Sequence, residues 1–140
     1  MKRQLFATLI LLLIGHIIYG QQIQWKRNLE ESIKNRQSNG KDIIIYFGAN
    51  WCGPCKRIEQ RIFTDSKFIQ FTKSFEMIKI YDDFNKEDKE SFQYYDKIKK
   101  QFKVLAIPTF ILLKKDNRQY ILAGSIDSGD DFIKQIRSYR

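Results

Sequence analysis

The chain has 140 residues, 43% of them hydrophobic and 29% charged, a balance and length that suit one globular domain and not two. Aromatic residues are plentiful (Phe 11, Tyr 7, Trp 2), so a core can be filled and a disordered tail is excluded. Two cysteines, one histidine and a net charge of +9 leave no room for a four-ligand Cys or Cys/His zinc site in one chain, nor for a scaffold of several disulfides.

The first twenty residues read as an address. Lys2 and Arg3 form a basic start, and Leu5 to Ile14 is apolar except for Thr8, with Ile17, Ile18 and Tyr19 extending it. This is the layout of a secretory signal over 1–20, with Gly20 before the cut and Gln21 as the new N-terminus. Ile18 is a poor match to the small residue usual three positions before a cut, so an uncleaved anchor is the alternative. Against the anchor, Leu5 to Tyr19 makes about 22 Å of helix, while bilayer hydrocarbon is roughly 30 Å thick. Cleavage removes Lys2, Arg3 and His16, the only histidine. The remaining domain, 21–140, then has no imidazole for a Ser-His-Asp or Cys-His mechanism.

Trp25, Leu29 and Ile33 recur every four residues among charged side chains and predict one amphipathic helix, stopped by Asn39-Gly40. Ile43 to Phe47 is an unbroken β-prone run and predicts a central strand buried on both faces. Gly48 to Trp51 reads as a turn, and Cys52 to Phe63 as a helix with Ile58 and Ile62 inward. Asp65 or Ser66 can cap a short helix through Phe68, Ile69 and Phe71. Phe75 to Tyr81 reads as a strand, and Asp82 to Asp88 as a polar loop. Glu90 to Phe102 is a helix whose inner side is expected to carry Phe92, Tyr95, Ile98 and Phe102. Thr109 to Leu113 and Tyr120 to Leu122 predict a hairpin around Asp116-Asn117, and Ser128 to Asp131 offers caps for a last helix with Phe132, Ile133 and Ile136. Helices separating the first strands imply parallel pairing, and the hairpin adds antiparallel strands. The fold class is therefore α/β, a mixed central sheet flanked by helices on both faces. No Gly-rich phosphate loop occurs, and no nucleotide or other cofactor is called for.

The chemistry sits in Trp51-Cys52-Gly53-Pro54-Cys55. A bridge between cysteines three apart closes a four-residue loop, worth only about 2 kcal/mol as a staple. Redox use is the stronger explanation. At a strand-to-helix junction, Cys52 meets unpaired N–H groups and the positive end of the helix dipole, which favour the thiolate that attacks disulfides. Lys56 and Arg57 add positive charge. Cys55, one turn on, is placed to resolve the mixed disulfide. Pro54 costs no hydrogen bond in a first turn, and Gly53 lets another chain approach.

These residues resemble the thioredoxin family. Trp-Cys-Gly-Pro-Cys-Lys at 51–56 matches its active site, Ile107-Pro108-Thr109 its proline loop, and Gly124 its third hallmark. The resemblance covers about residues 23–140. With the leader, it is closest in kind to exported thioredoxin-like proteins of the thiol:disulfide interchange type. It implies a thioredoxin-like fold, a cis peptide before Pro108, and substrate contacts from Trp51, Gly53, Pro54, Ile107 and Pro108, with the Ile107 backbone pairing to an extended segment. It also implies disulfide-containing exported proteins as partners and a separate electron donor, such as a membrane thiol reductase. The implied activity is protein-disulfide reduction through Cys52 and Cys55 in the periplasm or outside the cell. One departure stands out: six residues before Cys52, where the family often has a buried carboxylate, this chain has Tyr46, a poor base at neutral pH. Lys79 could lie near this space, though a solvent-facing lysine is the plainer reading. The lysines of 86–103 read as a solvated face, with no nucleic-acid motif beside them. Two further readings stay open: soft-metal handling, such as Cu(I), by the two thiolates, and a redox-inactive binding module on the same fold.

Overall fold

The computed structural model describes residues 22–83, 88–122 and 126–139. The leader over 1–20, Lys86 and Gly124 lie outside the described residues. In chain order the elements are β1 (Trp25–Lys26), α1 (Leu29–Asn39), β2 (Ile43–Ala49), α2 (Gly53–Arg61), α3 (Ser66–Thr72), β3 (Glu76–Asp82), α4 (Lys89–Gln101), β4 (Thr109–Leu113), β5 (Gln119–Leu122) and α5 (Gly129–Arg137). The strands form one five-stranded sheet in the order β1-β3-β2-β4-β5. β1 and β2 run parallel to β3, while β4 runs antiparallel to both β2 and β5.

Side chains alternate across β2 and divide the core. Ile43, Ile45 and Phe47 face a layer with Leu29 of α1 and Tyr95, Ile98 and Phe102 around α4. Ile44 and Tyr46 face the other side, among Ile62, Phe68, Phe132 and Ile136 from the regions of α2, α3 and α5. All seven β2 residues are buried, which is why the run shows no polar alternation. Among the described residues, no helix is long and apolar enough to cross a membrane.

Helix ends follow from local hydrogen bonding. Asn28, Asp65, Asp88 and Ser128 each accept an N–H from the first turn of the helix they precede. Gly40 ends α1 at φ 66°, a left-handed conformation suited to glycine, and donates to the Arg36 carbonyl. Buried Arg36 then donates to the Lys114 carbonyl at 2.7 Å and to Asn117 at 2.6 Å, tying α1 to the β4–β5 turn.

Expectations at Trp25, at Gly48 to Ala49 and at Phe92 need correction. Trp25 is not the first turn of α1; it lies in β1, paired with Met77, and the Asn28 cap starts the helix three residues later. Gly48 and Ala49 continue β2 and do not turn. Phe92 is exposed, because the inner face of α4 is set by Tyr95 and Ile98 with Tyr94 beside them.

Candidate active site

The site forms where β2 ends. Residues Asn50 and Trp51 turn the chain, and the turn is fastened to the end of β3. The Asn50 N–H donates to the Asp82 carbonyl at 3.1 Å, and the Asn50 side-chain amide donates to the Asp83 carbonyl. The Trp51 indole Nε1 donates to the Asp82 carboxylate at 3.0 Å, yet the residue stays 58% exposed. The indole is thus held by its polar edge while its faces remain open to a partner. Asp82, expected in a loop, closes β3 and is buried.

Cys52 is the N-cap of α2 in extended conformation, and Pro54 lies in the first turn, where its missing N–H is no loss. The Cys55 N–H donates to the Cys52 sulfur at 3.2 Å, and the Lys56 N–H to the Cys52 carbonyl at 3.1 Å. Cys52 and Cys55 form a disulfide with their Cα atoms 5.2 Å apart. Of the two, only Cys52 retains any surface, 5% against 0% for Cys55.

The proline loop comes from the opposite direction. β4 pairs antiparallel with β2, and Thr109 is opposite Phe47, so the residues before Thr109 run beside the end of β2 and the start of the dithiol turn. The Ile107–Pro108 peptide is cis, as the resemblance implies. Ile107 packs against the layer containing Cys52 and Cys55, and Leu105, just ahead of it, is 94% exposed.

Beneath the site, Tyr46 is not a bare packing residue. Its hydroxyl donates to Glu59 Oε1 at 3.1 Å. Lys79 Nζ lies 3.5 Å from the same oxygen and 3.9 Å from the centre of the Tyr81 ring, so it is not a solvent-facing lysine. Burial first, and then the charge of Glu59, hold the Tyr46 phenol far above its ordinary range. The same two causes push Tyr81 up to about 12. Both phenols therefore stay protonated at neutral pH, and Tyr46 serves as a donor and not as a base. A carboxylate does reach the Tyr46 side chain: Glu59, one turn beyond Cys55 on α2, with Lys79 as its counter-charge. Sequence reading missed Glu59 because an acid between Ile58 and Gln60 on a charged helix resembles any solvated residue.

Gly48 is explained by the same cluster. A Cβ there would lie 2.5 Å from the Tyr46 hydroxyl and 2.7 Å from Cζ, and that ring is pinned by Glu59. Gly48→Ala should therefore destabilise by about 1–3 kcal/mol through overpacking. Thermal unfolding alongside Tyr46→Phe and the double variant checks this: the alanine should cost less once the hydroxyl is gone, and an unchanged melting temperature in Gly48→Ala would refute the reading.

A strand, a tight turn and a helix that opens on a paired dithiol, in a five-stranded mixed sheet, are the parts that thiol–disulfide exchange requires. The chain belongs to the Thioredoxin-like domain family, which it matches over residues 29–140. It is 30% identical over 109 residues to the thiol:disulfide interchange protein DsbD of Campylobacter jejuni, an alignment spanning 78% of this chain but 18% of that protein. It is 22% identical over 125 residues to the disulfide bond reductase DsbH of Chlamydia pneumoniae, covering 86% of this chain and 75% of the relative. A solved DsbH oxidoreductase structure superposes with a TM-score of 0.73 at 21% identity, covering 84% of this chain and 83% of that one.

Proposed function

We propose that this protein is an exported protein-disulfide reductase. The cycle begins with the reduced Cys52 thiolate attacking a disulfide of the substrate. A Cys52–substrate bond forms, the substrate bond breaks, and one substrate thiolate leaves. The Cys55 thiol then loses its proton and attacks the Cys52 sulfur. The Cys52–Cys55 disulfide forms and the second substrate thiolate leaves, so two electrons pass to the substrate. A separate dithiol donor returns the protein to its reduced form.

The observation that carries this reading is the Cys52–Cys55 disulfide at the start of α2, with residual exposure on Cys52 alone. The sulfur with residual surface suits attack on a large substrate, and the sealed one suits the internal step. Trp51, Gly53, Pro54, Ile107 and Pro108 border this point and are the surfaces for an extended substrate segment. The direction, reduction, is supported by Gly-Pro between the cysteines and by relatives whose names describe interchange and disulfide reduction. Export to the periplasm or beyond, with partners among exported disulfide-bonded proteins and a membrane thiol reductase as donor, is supported by the basic-then-apolar leader over 1–20. No third Cys, His, Asp or Glu ligand joins the sulfurs in a metal-sized cluster among the described residues, so a metal-handling reading gains no support from the site.

Insulin reduction driven by dithiothreitol tests the activity: the wild-type protein should accelerate it and Cys52→Ser should not. Equal rates for the two would end the proposal. The reduction potential tests the direction, with a value near about −270 mV expected for a reductant and one above about −180 mV pointing to oxidation or isomerisation.

A further inference from the structure

Helix α2 presents its cations to solvent. Lys56, Arg57 and Arg61 are exposed, and none of them forms an ion pair among the described residues. The acid of this helix, Glu59, is turned to Tyr46 and Lys79. Four-residue spacing stacks Lys56 over Cys52 and Arg57 over Gly53, with Arg61 one turn further. The exposed side of α2 thus carries cations in two adjacent rows that begin at the dithiol turn.

Three of the other four described helices begin differently, while α3, like α2, has no acid in its first turn. The first turns of α1, α4 and α5 carry acids (Glu30 and Glu31, Glu90, Asp130 and Asp131), which suits the positive end of a helix. α2 has no acid in its first turn and follows that turn with Lys56 and Arg57. Three lysines on other helices are paired, Lys97 with Glu30, Lys100 with Asp96 and Lys67 with Asp130, while others there, such as Lys34 and Lys134, stand like the α2 cations without an ion pair among the described residues. The acids of neighbouring elements are also engaged. Asp82 receives the Trp51 indole, Asp83 lies 3.9 Å from Arg27, and Asp65 caps α3. Arg57 and Arg61, four residues apart, repel each other with no carboxylate to offset them. Arg61 suits the negative end of α2, but Lys56 and Arg57 lie near its positive end, and a cationic surface continuous with the reactive sulfur points outward to a partner.

We propose that the polypeptide segment delivering its disulfide to Cys52 is acidic, with Asp or Glu near the reacting cysteine on the side that crosses α2. This rests on the exchange chemistry proposed above and names the kind of partner that chemistry serves. Nearby cations also favour the Cys52 thiolate, but a more reactive thiolate accelerates attack on every disulfide alike. Recognition by charge ranks disulfides by what flanks them.

The test uses the reduced protein and three peptides with one identical internal disulfide, flanked by Glu, Ser or Lys. At about 20 mM salt the second-order rate constant should be at least about tenfold higher for the acidic than for the basic peptide. At about 500 mM salt the two should agree within about twofold, because the Debye length falls to about 4–5 Å and charges farther apart than that are screened. Arg61→Glu, two turns from the dithiol, should shrink the ratio, and K56E/R57E/R61E should invert it; the ratio within one variant cancels any change in Cys52 reactivity. Should the triple variant fail to fold, the single variant and the salt series still decide. Equal rates for all three peptides would overturn the inference while leaving the exchange activity standing. A preference for acidic peptides that survives charge reversal, or retention on anionic phospholipid vesicles with no ranking among peptides, would also overturn it. No reduction of any peptide would sink the activity and the inference together.

Discussion

Cys55→Ser should turn the protein into a trap. Cys52 can still attack a disulfide, but the serine hydroxyl cannot displace the captured chain, so the mixed disulfide accumulates. Turnover should fall by at least about a hundredfold, because the internal thiol acts at an effective concentration no external thiol matches. Non-reducing gels of the reduced variant mixed with insulin should show a covalent adduct that dithiothreitol releases. Neither the wild-type protein nor Cys52→Ser should accumulate it. An adduct on Cys52→Ser instead would exchange the roles of the two sulfurs, against the burial that leaves Cys55 no surface.

The largest loss of stability is expected from Phe110→Ala. Phe110 is buried in β4 opposite Tyr46, with ring centres 4.8 Å apart and nearly parallel. Its ring also meets Phe132 edge-on at 4.6 Å and Phe63 at 6.1 Å. The contacts close a circuit: Trp25, Tyr46, Phe110, Phe132, Phe68, Phe63 and back to Trp25, each step between 4.6 and 6.3 Å. Removing one member leaves a cavity walled by rings that cannot readily shift. The cost should be about 3–5 kcal/mol, a large fraction of the 5–15 kcal/mol typical of such a domain. Urea unfolding measures it; a loss under about 1 kcal/mol would show that the layer collapses to fill the gap. Tyr46 should lose its fixed position over Gly48 as well, so Phe110→Ala should slow disulfide exchange even where the protein remains folded.

Most of the fold was legible because its signals are local. The unbroken Ile43–Phe47 run, the C-x-x-C junction, the β4–β5 hairpin and the caps at Asp65 and Ser128 each sit within a few residues of what they specify. The cis Ile107–Pro108 peptide came from family resemblance and from no local rule. The failures at Trp25 and Glu59 share a cause, which is that the deciding partner lies far along the chain. Trp25 keeps helical spacing with Leu29, but Met77 claims it for the sheet. Gly48 looks like a turn residue until the Tyr46 ring is seen to need its space. Glu59 looks solvated until Tyr46 and Lys79, 13 and 20 positions away, converge on one of its oxygens. The dithiol was readable from five consecutive letters; the polar cluster behind it needed three elements in place.

The two tryptophans lie in contrasting surroundings. Trp51 stands at the surface one residue from the sulfur pair, and Trp25 is wedged between Tyr46 and Phe63. Their emission should therefore separate into independent optical reporters. Trp25→Phe leaves an indole that registers whether the sulfurs are bonded or free, and Trp51→Phe leaves one that registers only whether the interior is intact. Two single-emitter proteins would let redox state and unfolding be followed by light alone, with no dye attached.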